Sequence, residues 1–278
     1  MADKMRAAWA HYPEEIQGFL QGADIAVVKQ KTRSVVLRLD RREESVFLKV
    51  TPKGQMREEA RMTEYLSRRG ACPRVILYRS DGTGDYLITS RVAGSDAAAE
   101  ACLRYPERLT DAFAEGLSAL HDVDPEGCPV VNGLAEMASR ADRNYREGRA
   151  DRSLLLYMGY ADADTAYRDL IAMYETCEDR TDQVVIHGDY CLPNVIVRDF
   201  KVQGYIDVGY GGVGDRHYDL FWGLWSLRYN LRSDFDRIAD RFLETYGRAK
   251  ADKDRIRFCG LISVFNGFRG QDYYNGPL

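Results

Sequence analysis

The sequence lacks the marks of several large protein classes, and each absence narrows the reading. Its six cysteines (Cys72, Cys102, Cys128, Cys177, Cys191 and Cys259) are scattered through 278 residues with no C-x-x-C pair. That spacing speaks against a zinc site or a disulfide framework, so reduced, mostly structural thiols and a cytoplasmic location are expected. No run approaches the roughly 18 apolar residues of a membrane-spanning helix. The opening MADKMRAAWAHYPEE has no apolar core of signal-peptide length. Positive charge is not in excess: the net charge is -4, and neither nucleic acid nor a membrane is expected as a partner. Internal repeats and low-complexity stretches are missing too. What is present, 45% hydrophobic and 29% charged residues, suits a globular chain long enough to bury a core as one large domain or two lobes.

The first part of the chain alternates. Ala23 to Val28, Ser34 to Leu39 and Val46 to Val50 are short β-branched or apolar runs, the last two joined by Asp40-Arg41-Arg42-Glu43-Glu44. Gln55 to Arg69 predicts a helix closed by Gly70 ahead of Cys72-Pro73. Val75 to Tyr78 and Tyr86 to Thr89 predict two further strands around Asp81-Gly82-Thr83-Gly84. At Ser90 to Gly94 the composition changes, and helical periodicity follows. Pro106 suits a first helical turn, and Leu109, Phe113, Leu117 and Leu120 recur at helical spacing. Asp164 or Thr165 is the expected cap of a helix striped by Ala166, Leu170, Ile171 and Tyr174. Asp219 to Tyr229, apolar almost all round, predicts a buried helix; Asp234 to Tyr246 and Asp254 to Phe265 complete the set. The expected class is α+β: a β-rich lobe over 1–91, then a mainly helical lobe over 92–278, with a ligand cleft between them.

The chemistry concentrates in HGDYCLPNVIVRDFKVQGYID, from His187 to Asp207. Val195-Ile196-Val197 reads as a strand, Asp199-Phe200-Lys201 as a turn, and Val202 to Ile206 as the returning strand. Such a hairpin returns Asp207 to Asn194, and two oxygen donors there suit Mg²⁺ on nucleotide phosphates. Asp189, on the preceding loop, is placed to orient a substrate hydroxyl and accept its proton. Phosphoryl transfer also needs a cation, and Lys49 is the lone charge in Val46-Phe47-Leu48-Lys49-Val50. Period-two alternation sets it on one face with Phe47, a ring able to pack on a purine. Its counter-charge is Glu58 or Glu59; helical periodicity does not choose between them. The polar loop Lys29 to Ser34, around Thr32, offers backbone amides for phosphate but no glycine.

HGDYCLPN followed by GYIDVGYGGVGDRHYDL resembles the aminoglycoside 3'-phosphotransferases, within the wider protein-kinase-like phosphotransferases. VFLKV, REEARMTEYL, LITSRVAG, LSALHDVD and DRFLETYG follow in the family's order. The resemblance implies a protein-kinase-like two-lobe fold, ATP or GTP with Mg²⁺ as cofactors, and a cationic amino-sugar as the small-molecule substrate. It implies Asp189 as catalytic base, Asn194 and Asp207 as metal ligands, and Lys49 paired with Glu59 on the phosphates. Ser90 to Val92 would offer backbone groups to adenine beside Phe47. His187 and Asp219 would brace the catalytic loop.

The sequence departs from that family where the sugar's ammonium groups are held. Tyr229 stands where an aspartate is expected and Leu261-Ile262-Ser263-Val264-Phe265 replaces an acidic pair; elsewhere, Tyr210 stands where these enzymes usually have an arginine close to the metal-binding aspartate. Asp96, Asp162 and Asp164 are candidate replacements, with Tyr229 and Ser263 as further substrate contacts, and the aromatic tail FRGQDYYNGPL as a cover. A kinase of another small hydroxylated metabolite and a nucleotide-binding scaffold without activity are the alternatives.

Overall fold

The computed structural model describes residues 9, 11–41, 44–177, 182–231 and 234–266. The tail from Phe268 to Leu278, and Arg42 and Glu43 of the expected hairpin connection, lie outside the described residues. The chain divides into two compact units, Met1–Val92 and Ala93–Leu278, one residue beyond the boundary read from composition.

In the first unit β1 (Asp24–Lys31), β2 (Ser34–Asp40), β3 (Ser45–Thr51), β4 (Val75–Ser80) and β5 (Asp85–Ser90) form one antiparallel sheet ordered β1-β2-β3-β5-β4. Alternation decides what each face buries. Val46 and Leu48 of β3 join Leu37, Leu39, Ile88 and the Ile16 and Leu20 of helix α1 (Glu14–Leu20) in one core. Phe47 and Lys49 point to the other face, which they share with Leu87, and Leu87 packs with Met56 and Ala60 at the start of helix α2 (Arg57–Ser67). Helix α1 has no counterpart among the elements expected from the sequence, and one expectation needs correction. The polar loop is shorter than expected, because Lys29 to Lys31 continue β1 and only Thr32 and Arg33 turn. An edge strand exposed to water tolerates such polar residues, since its backbone bonds and not its side chains hold it.

The second unit is mainly helical: α3 (Glu100–Leu103), α4 (Pro106–His121), α5 (Leu134–Arg146), α6 (Arg152–Tyr157), α7 (Ala163–Cys177), α8 (Arg216–Leu231), α9 (Phe235–Tyr246) and α10 (Lys253–Asn266). Its core gathers Met137 of α5, Leu154 of α6, Leu170 of α7, Phe221 and Trp222 of α8, and Phe258 and Ile262 of α10. Helix α9 stops at Gly247, whose φ of 112° only glycine adopts at low cost. Helix α7 is capped two or three residues earlier than expected. Asp162, not Asp164 or Thr165, accepts the Thr165 amide at 2.8 Å and its hydroxyl at 3.0 Å. Among these helices lie two small antiparallel sheets: β7 (Gln183–Ile186) with β10 (Gly212–Asp215), and β6 (Ser95–Asp96) beside β8 (Val195–Arg198) and β9 (Lys201–Tyr205). No helix among the described residues is long and apolar enough to cross a membrane.

Candidate active site

The chain leaves β7 at His187 and is pinned at once. Asp219, fully buried on α8, accepts the His187 amide at 2.6 Å and the Gly188 amide at 2.8 Å. Gly188 has φ +76°, and a Cβ there would overlap the Tyr210 carbonyl, so the loop is tight enough to require glycine. His187 is buried as well. Its Nε2 donates to the Ile206 carbonyl at 3.1 Å and its Nδ1 accepts the Asp189 amide at 3.3 Å, a pattern that selects the neutral Nε2–H tautomer. One imidazole thus ties the start of the loop to the end of the hairpin.

Asp189 follows, half-buried, and each of its oxygens has a donor. The Asn194 amide nitrogen reaches Oδ2 at 3.0 Å and the Cys191 thiol reaches Oδ1 at 3.3 Å. Asn194 also donates to the Asp189 carbonyl at 2.9 Å, which turns its own amide oxygen the other way. Tyr190 drives into the core, stacked on Phe113 at 4.4 Å and donating to the Phe113 carbonyl at 2.7 Å. The Leu192 amide donates to the Ser226 hydroxyl of α8 at 2.9 Å.

From Asn194 the hairpin runs out and back as the sequence predicts, but the turn is only Asp199-Phe200; Lys201 already pairs with Arg198. Both turn residues have positive φ, 54° and 57°, the mirror-image turn that matches strand twist. Phenylalanine is costly there, and its ring is held by Arg108 at 4.2 Å and edge-on by Tyr105 at 5.8 Å. The return brings the Ile206 amide to the Asn194 carbonyl at 3.0 Å, so Asp207 follows directly beside Asn194. Asp207 takes φ 58°, a left-handed conformation that aspartate tolerates better than most residues. An amide oxygen and a carboxylate, both hard donors, fit Mg²⁺, which binds through one or two carboxylates together with phosphate and water.

Beneath the loop runs a network that sequence reasoning missed. His121, the last residue of α4, lies 3.3 Å from Asp219 through Nε2 and 2.7 Å from the Tyr246 hydroxyl through Nδ1. Arg216 donates to that hydroxyl at 2.8 Å and pairs with Asp182. Burial lowers the His121 imidazole below its ordinary value and raises the Tyr246 phenol to about 12. These contacts join residues 98 and 125 positions apart; only the histidine in LSALHDVD was a visible signal.

In the first unit Lys49 bonds both Glu59 oxygens at 2.8 Å, largely shielded from solvent. Glu58 pairs instead with Arg61 at 3.2 Å on the exposed side of α2. The alternative left open by periodicity is thereby resolved. Ser90 closes β5 with its hydroxyl accepting the Arg74 amide, Val92 ends the unit, and Thr32 sits exposed at its hairpin tip.

The substrate candidates separate. Ser263 is fully buried and its hydroxyl donates to the Cys259 carbonyl at 2.8 Å, so it is corrected from a contact to a core residue. Asp162 is exposed but spends its carboxylate on the α7 cap, and Asp164 accepts the Tyr145 hydroxyl at 2.9 Å. Asp96 is exposed on β6. Tyr229 is 60% exposed and stacks on Trp225 at 5.3 Å. The Tyr210 carbonyl accepts Asn132 at 2.8 Å.

A β-rich unit with a shielded lysine–glutamate pair, and a helical unit whose hairpin gathers Asp189, Asn194 and Asp207, define the kinase-like phosphotransferases. The chain belongs to the phosphotransferase enzyme family (APH), whose model matches residues 24–259. It is 32% identical to the "Probable aminoglycoside 3'-phosphotransferase" of Lactococcus lactis subsp. lactis (strain IL1403), across 91% of this chain and 95% of that one. A crystal structure of an aminoglycoside-3'-phosphotransferase of type VIII superposes with TM-score 0.72 at 28% identity, covering 95% of this chain and 98% of the other. Aminoglycoside phosphotransferase APH(3'')-Id from Streptomyces rimosus ATCC10970, in complex with ADP and streptomycin, matches with TM-score 0.72 at 26% identity over 90% and 97% of the two chains. The chain is therefore a small-molecule kinase of the aminoglycoside 3'-phosphotransferase type.

Proposed function

We propose that this enzyme moves the γ-phosphate of ATP (or GTP) to a hydroxyl of an aminoglycoside or a similar amino-sugar. The observation that carries the reading is the gathering of Asp189, Asn194 and Asp207 on one loop and hairpin, pinned from below by Asp219. The relatives named as aminoglycoside phosphotransferases, one of them in complex with ADP and streptomycin, support the choice of donor and acceptor.

Asp189 accepts a hydrogen bond from the acceptor hydroxyl and takes its proton as the new O–P bond forms and the bond to the nucleoside diphosphate breaks. Lys49, steered by Glu59, holds the phosphates, and the face of Phe47 with the backbone of Ser90 to Val92 receives the base. The Asn194 amide oxygen and the Asp207 carboxylate would hold Mg²⁺, which would supply charge neutralisation for the transferred phosphoryl group. Solvent-exposed Asp96, Asp164 and Tyr229 are the groups open to a cationic acceptor. The apolar, fully buried Leu261-Ile262-Ser263 segment adds no carboxylate, which favours a less highly charged acceptor as a second reading.

The test is Mg²⁺-dependent nucleotide turnover against aminoglycosides, streptomycin and hygromycin B included, and plain amino-alcohols. Asp189→Ala should lower kcat by roughly 10²–10⁴, the usual range for a general base, and leave nucleotide affinity nearly unchanged. A variant that keeps its kcat, or loses mainly nucleotide binding, would overturn the role. Nucleotide binding with no phosphorylated acceptor would instead identify an inactive scaffold.

A further inference from the structure

Cys191 is the one loop side chain on Asp189 to which the proposed chemistry gives no task. It is 7% exposed, and its thiol donates to Asp189 Oδ1 at 3.3 Å. The other oxygen of the same carboxylate takes the Asn194 amide at 3.0 Å. Two donors on two oxygens fix the plane of the carboxylate. A rotation about its last bond breaks both contacts, and each oxygen keeps a lone pair for a further partner. The backbone of the cysteine is held within the loop: its amide donates to the Asp189 carbonyl at 2.8 Å and its carbonyl accepts the Asn194 amide at 2.9 Å. Ser226 of α8 accepts the Leu192 amide at 2.9 Å and lies 3.4 Å from the Asn230 amide. The residue after the cysteine is therefore tied to the buried face of α8, while the thiol itself reaches one named oxygen of Asp189.

We propose that Cys191 is a positioning residue, whose thiol holds the Asp189 carboxylate in the orientation that receives the acceptor hydroxyl. Burial and the adjoining carboxylate both push the Cys191 thiol well above its ordinary value, so at neutral pH it keeps the proton it donates and is a poor nucleophile. The inference rests on the reading of Asp189 as the group that orients the hydroxyl.

Two readouts test it. Kinetics with ATP, Mg²⁺ and the aminoglycoside giving fastest turnover compare Cys191→Ala and Cys191→Ser. The alanine variant should lose about tenfold in kcat, equal to about 1.4 kcal/mol of activation free energy, with both KM values unchanged. Serine, smaller and more polar but still a donor, should restore most of it. Equal damage in both variants would indicate packing alone and overturn the inference, as would an undiminished kcat in alanine. The second readout needs no turnover. The S–H stretching band assigned to Cys191 by difference against Cys191→Ser should shift when Asp189→Asn weakens the acceptor. A band that does not move denies the contact. If Asp189→Ala keeps its kcat, the role of Asp189 itself falls; if that variant is inactive and Cys191→Ala is not, only the role of Cys191 falls.

Discussion

A single carboxylate, Asp219, accepts two loop amides and faces one imidazole, so the state of that imidazole matters for stability. His121 is fully enclosed, and desolvation lowers its pKa from the ordinary 6.5 against the opposing pull of Asp219. Above pH 6.5 neither folded nor unfolded chain holds the extra proton at this position. As pH falls below that value the unfolded chain gains it first, so this stabilisation is present above the ordinary value and lost on acidification. The stability advantage of wild type over His121→Gln, read from urea midpoints, should therefore narrow between pH 7 and pH 5.5. A constant difference would contradict the burial argument. The choice between Glu58 and Glu59 makes a second prediction at this scale. Glu59→Gln removes the charge that holds Lys49 and should raise the KM for ATP by about tenfold or more, at about 1.5–3 kcal/mol per hydrogen bond to a charged group. Glu58→Gln, which frees only an exposed arginine, should leave the KM unchanged.

At the scale of elements, the hairpin is held to α4 by a close approach that helix propensity opposes. Gly116 lies inside α4, where glycine costs roughly 0.5–1 kcal/mol against alanine. A Cβ there would stand 2.6 Å from Val202 Cγ2 and 3.1 Å from the Tyr190 hydroxyl. The Gly116 carbonyl also accepts the Tyr205 hydroxyl at 2.7 Å. Overpacking typically costs 1–3 kcal/mol, so Gly116→Ala should destabilise despite its better propensity, by roughly 1–2 kcal/mol in urea unfolding. Adding Val202→Ala should recover part of the loss. A stabilised Gly116→Ala would mean that α4 and the hairpin are not in tight contact.

For the whole molecule, the two units have separate cores, and heat unfolding need not be a single transition. Ligand linkage still applies. ATP with Mg²⁺ at a hundred times its Kd should stabilise the site-bearing fold by about 2.7 kcal/mol. Lys49→Ala and Asp207→Ala, in different units, should each reduce that thermal shift. A full shift in both variants would remove these residues from nucleotide binding.

The sequence alone determined what is local. Period-two alternation set Phe47 and Lys49 on one face of β3, and β-branched runs around a short turn returned the chain from Asn194 to Asp207. Those relations hold within windows of some twenty residues, where backbone geometry leaves few choices. Strands β7 and β10 were not legible, because Gly212-Val213-Gly214-Asp215 carries turn residues and forms a strand only against Gln183 to Ile186. The assignments left to the tertiary structure depend on partners far along the chain or on burial. Glu59 displaced Glu58 because helix α2 turns that residue toward β3. Ser263 became core because α10 is buried throughout from Phe258 to Asn266, and Asp162 became a cap because α7 starts one residue after it. The Tyr246–His121–Asp219 network, spanning more than a hundred residues in sequence, exists only where α4, α8 and α9 meet, since desolvation and hydrogen bonding are properties of the packed chain.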